Sequence, residues 1–83
     1  MAHSEQDILA GLADIVNEET GLPTDSVTPE KSFADDLDID SLSMMTIVTL
    51  AEEKFDVRIP DEDATKLVTV KDAVDYISKA QGA

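Results

Sequence analysis

The sequence predicts an all-α fold: a small four-helix bundle of three main helices and one short helix, with a long loop between the first two. Three observations predict it. Apolar residues recur at helical spacing in three separate stretches. Each stretch opens on a side chain able to cap a helix. The one segment that alternates with period two has no second strand to pair with. The 83 residues allow one small domain, taken as 1–83. With two Phe, one Tyr and no Trp, its core must be mostly aliphatic.

The first helix opens at Ser4-Glu5-Gln6-Asp7, an N-cap followed by acid in the first turn. Ile8, Leu9, Leu12, Ile15 and Val16 give its apolar stripe, and Thr20-Gly21 followed by Pro23 ends it. Residues 21–40 form the long connection, in which Val27, Phe33, Leu37 and Ile39 are spaced to pin the loop to a core. Connections of this length in small domains are uncommon and often functional. Asp40 can cap the second helix, whose stripe is Met44, Ile47, Val48, Ala51 and Phe55. Four consecutive β-branched residues, Thr46 to Thr49, favour strand there, but the coherent stripe favours helix. Phe55 to Ile59 is read as an extended loop. Pro60 suits the first turn of a short helix with Asp61, Glu62 and Asp63 at its positive end. Thr69-Val70-Lys71-Asp72 resembles a capping box, and Val70, Ala73, Val74 and Ile77 form the last stripe. The end, Gln81-Gly82-Ala83, is expected to fray.

Six Lys and Arg against 19 Asp and Glu give a net charge of −13. Such a chain repels nucleic-acid phosphates and anionic lipid and attracts basic surfaces. No stretch is long enough to cross a bilayer, and the longest apolar run is Ile8 to Ala13. The start, Met1-Ala2-His3-Ser4-Glu5, has neither the basic nor the apolar part of a secretory signal. Cysteine is absent, which fits a reducing compartment. A cytoplasmic monomer is expected.

Ser41 has the most marked setting of any hydroxyl in the chain: it follows Asp38-Ile39-Asp40 at the mouth of the second helix. A serine nucleophile needs a base, and the only histidine is His3, far along the chain. There is no Gly-x-Ser-x-Gly elbow either, so no catalytic residue is assigned. Asp36, Asp38 and Asp40 match the first three ligand positions of an EF-hand loop, but Ser41 and Ile47 stand where the motif needs Gly and Glu, so no specific metal site is assigned. Leu42 and Met45 fall off the core stripe towards Thr46, Thr49, Glu52 and Glu53, which would expose two apolar side chains beside Ser41.

Four segments together resemble the acyl carrier protein family: Asp36-Leu37-Asp38-Ile39-Asp40-Ser41-Leu42, Glu52-Glu53-Lys54-Phe55, Ile59-Pro60-Asp61-Glu62-Asp63-Ala64 and Thr69 to Ile77. The wording most resembles the type II fatty-acid carriers of actinobacteria. The resemblance implies that Ser41 receives 4′-phosphopantetheine covalently from a phosphopantetheinyl transferase. It implies that the protein itself is no enzyme and delivers acyl thioesters to acyltransferase, ketosynthase, reductase and dehydratase enzymes with basic docking patches. The partner face carried over is Asp40, Leu42, Met45, Thr46, Glu52 and Glu53, extended by Asp61 and Glu62. The acyl pocket carried over is Ile47, Ala51, Phe55, Ile59, Ala64, Leu67 and Ala73, positions that any core would also use. Two positions depart from the family pattern: Asp38 where Gly is frequent, and Thr46 where Glu is usual. A discrete polyketide carrier is the nearest alternative. An unmodified acidic helical adaptor is the alternative from another class.

Overall fold

Ser4 begins the first helix as expected, its hydroxyl accepting from the Asp7 N–H at 3.1 Å. In the computed structural model, which describes residues 4–81, helix α1 runs Glu5–Thr20. Gly21 ends it in the left-handed region, with φ of 80°. His3 and the Gly82-Ala83 end lie outside the described residues.

The main contacts of α1 are with α2 (Ser41–Phe55) and α4 (Val70–Ala80). Gly11 allows the first of these. A Cβ there would stand 2.5 Å from Cζ of Phe55, so only a residue without a side chain lets the ring seat against α1. The core is one cluster in which Ile8, Leu12, Val16, Ile47, Val70 and Ile77 are the most deeply buried large side chains. It is aliphatic apart from Phe33 and Phe55.

The long connection is more ordered than its composition suggests. Val27, Phe33, Leu37 and Ile39 are all buried, as their spacing predicted. A short 3-10 turn, Thr24–Ser26, was not foreseen. Backbone bonds then stitch the loop to the start of α4: Phe33 N–H to the Val68 carbonyl, Val70 N–H to Lys31 and Lys71 N–H to Pro29. An isolated antiparallel bridge joins Ser32 and Thr69. Asp36 folds the chain between, its carboxylate accepting from the Ser32 N–H at 2.8 Å.

The β-branched run in α2 is helical. Thr46 and Thr49 donate their hydroxyls to the carbonyls of Leu42 and Met45, at 3.2 and 3.0 Å, which satisfies them inside the helix. Asp56 then turns the chain with a φ of 54°, and the extended segment follows. The short helix α3 is Asp61–Ala64. Pro60 stands one position earlier than expected: it is the N-cap, extended at ψ 153°, and its carbonyl accepts from the N–H groups of Asp63 and Ala64. The Thr69 capping box is complete, with Asp72 reaching back to the Thr69 N–H.

Candidate functional site

Ser41 is the first residue of α2 and is exposed. Asp40 before it accepts from the Ser43 N–H at 2.8 Å. That backbone bond, then the Ser43 hydroxyl, holds the Asp40 carboxyl below its ordinary value of 3.8, with the Leu42 N–H adding to the effect and desolvation opposing it. One helix-end donor is therefore already engaged by protein, so a free anion would meet a carboxylate in its place. A group linked covalently through the Ser41 hydroxyl does not need that donor.

Around Ser41 the apolar side chains are exposed, as the helical stripe predicted: Leu42 at 78% and Met45 at 56%. A third, Val68 at 58%, stands beyond any element the stripe could address, in the connection before α4. Thr46, Glu53, Asp61 and Glu62 are exposed as well. Glu52 is half-buried, and its Oε2 accepts from the Ile59 N–H at 2.8 Å, so part of that carboxylate serves the turn after α2.

Beside Ser41 lies a cleft of about 500 Å³. Ile39, Met44, Met45 and Val48 line it from α2 and the residues before it, Ser32 to Asp35 line it from the loop, and Asp61, Ala64, Thr65, Leu67 and Val68 form the wall around α3. Of the seven positions carried over as an acyl pocket, only Ala64 and Leu67 border it. Ile47, Ala51, Phe55, Ile59 and Ala73 sit instead in the closed core. Met44, Val48 and Val68, outside that carried-over set, also line the cleft; they are a pair on α2 and one residue some twenty positions on, which no local pattern joins. The acidic positions of the EF-hand fragment are spent on structure: Asp36 holds Ser32, Asp40 caps α2, and Asp38 is in the left-handed region at φ 54°. Among the described residues no group of three or more His, Cys, Asp or Glu is placed to hold a metal ion.

The fold is a four-helix bundle in which Ser41 stands exposed at the mouth of α2, next to an apolar cleft. The family model of the phosphopantetheine attachment site matches residues 10–77. An acyl carrier protein of Kineococcus radiotolerans is 78% identical over 79 residues, covering 95% of this chain and 98% of that one. One from Beutenbergia cavernae is 75% identical over 81 residues, covering 98% and 99%. Among solved structures, an acyl carrier protein from Enterococcus faecalis superposes with a TM-score of 0.78 at 37% identity, covering 94% of this chain and 99% of that one. The chain belongs to the acyl carrier protein family, whose members are non-catalytic carriers with a covalent 4′-phosphopantetheine. The site fits that group: the hydroxyl is exposed, and an apolar cleft opens next to it. No helix among the described residues is long and apolar enough to cross a membrane.

Proposed function

We propose that Ser41 is the attachment residue for 4′-phosphopantetheine and that the protein carries acyl groups for fatty-acid synthesis. The observation that carries this reading is the position of Ser41 as the exposed first residue of α2 at the edge of the apolar cleft. The arm supplies the thiol on which acyl groups travel as thioesters, a group that this cysteine-free chain lacks. The chain's own residues supply the anchor and the docking surface. Asp40 caps α2 and so fixes the backbone at its start, where Ser41 stands. Leu42 and Met45 offer an apolar centre, and Glu53, Asp61 and Glu62 rim it with charge that suits a basic patch. The partners are a phosphopantetheinyl transferase and then the acyltransferase, ketosynthase, reductase and dehydratase of the pathway, met as a single-domain monomer in the cytoplasm.

The test is an intact mass after incubation with coenzyme A and a broad-specificity phosphopantetheinyl transferase. One arm should add to the native chain and none to Ser41→Ala. No gain on the native chain, or an equal gain on Ser41→Ala, overturns the assignment. Loading of the product by fatty-acid enzymes but not by polyketide enzymes is expected; the reverse would move the protein to polyketide synthesis.

A further inference from the structure

The wall of the cleft around α3 is held in a way its own sequence cannot explain. Helix α3 has four residues, three of them acidic, and its N-cap makes no side-chain bond. None of its residues is fully buried, only Ala64 packs half-buried against the core, and it takes no part in the main helix contacts. A helix so short does not persist without tertiary support. One side chain from α4 reaches it: the Tyr76 hydroxyl donates to Asp63 Oδ2 at 2.7 Å. Ala64, the residue after Asp63, lines the cleft, as do Asp61 and Thr65.

We propose that Tyr76 is a positioning residue: its bond to Asp63 latches α3 against α4 and so sets the wall of the cleft beside Ser41. The latch would hold this wall whether or not the cleft takes an acyl chain. Two further ties bracket the latch. Glu52 holds the Ile59 N–H on the near side, and the Val68 carbonyl accepts from Phe33 on the far side. Between them, Tyr76–Asp63 is, among the described residues, the side-chain bond that joins α3 to another helix. The phenol is raised above its ordinary value of 10.0, first by this bond and then by desolvation and the charges of Asp63, Glu52 and Glu62. Lys66, Asp72, Asp75 and Lys79 are the other charged groups around it.

Tyr76→Phe removes the hydroxyl and keeps the ring. Amide exchange at Asp63 to Leu67, whose N–H groups bond within 60–64, should quicken about tenfold, while the amides of α1 keep their native rates. Unchanged exchange in 63–67, or an equal rise in α1, overturns the proposal. Asp63→Asn gives an independent readout, because Tyr76 is the chain's one tyrosine and there is no tryptophan. Its phenolate absorbance should rise at a lower pH than in the native protein. A titration that does not move overturns the latch even if both variants fold normally.

Discussion

Asp40 closes the loop and opens α2, and its carboxylate holds the Ser43 N–H at 2.8 Å. Because its folded value lies below 3.8, its contribution to stability is complete above that pH and is lost as pH falls through the lower folded value. The Ser43 amide resonance should therefore shift with acid below about pH 3.8, and Asp40→Asn, which still caps, should flatten that response. Cap chemistry of this kind is local, which is why Asp40 and Ser41 were legible from a few neighbouring residues. Glu52 was not. Its bond to the Ile59 N–H spans seven residues and exists only because Asp56 reverses the chain. Glu52→Gln keeps an acceptor and should weaken docking to a basic partner without lowering Tm. Glu52→Ala should lose docking and about 1–2 kcal/mol of stability, read by urea unfolding. Thr46, exposed one turn after Leu42, offers the converse case. Thr46→Glu should bind a basic partner about two- to fivefold more tightly at low salt and lose the gain as salt rises. An affinity that does not change at low salt would remove Thr46 from the docking face.

Helix α1 and helix α2 meet through an absence, the missing side chain of Gly11. A methyl there would stand 2.5 Å from the Phe55 ring and 3.0 Å from Lys54 Cε. Overpacking of this sort costs about 1–3 kcal/mol, against about 1 kcal/mol gained in helix propensity. Gly11→Ala should therefore lower stability in urea, and the loss should shrink in a Phe55→Leu background where the space exists. Equal losses in both backgrounds would mean that the ring is not the obstacle. The three main helices were legible because their stripes repeat over several turns and their ends carry caps. The contact between Gly11 and Phe55 was not, since nothing local relates residues 44 positions apart. Pro60 was misplaced by one residue for a similar reason: its fixed φ of −60° suits the N-cap and the first turn alike, and its extended ψ decides for the cap.

At the scale of the molecule, charge outweighs every other feature. A net −13 on 83 residues repels itself in the folded state, so screening should stabilise it. Tm should rise as sodium chloride is raised from about 0.01 M to about 0.15 M, and a fall would show that attractive ion pairs outweigh the repulsion. The same charge speeds encounter with basic enzyme surfaces at low salt. Legible in the sequence alone were the helical class, the caps of the three main helices, the loop residues that pin to the core and the serine at the mouth of α2. These follow from periodicity and from bonds between residues a few positions apart. Only the tertiary structure decided where the cleft lies, that Met44, Val48 and Val68 border it, and that Tyr76 and Glu52 fix the segment around α3. Those contacts join side chains distant along the chain, and their partners exist only once the bundle has closed.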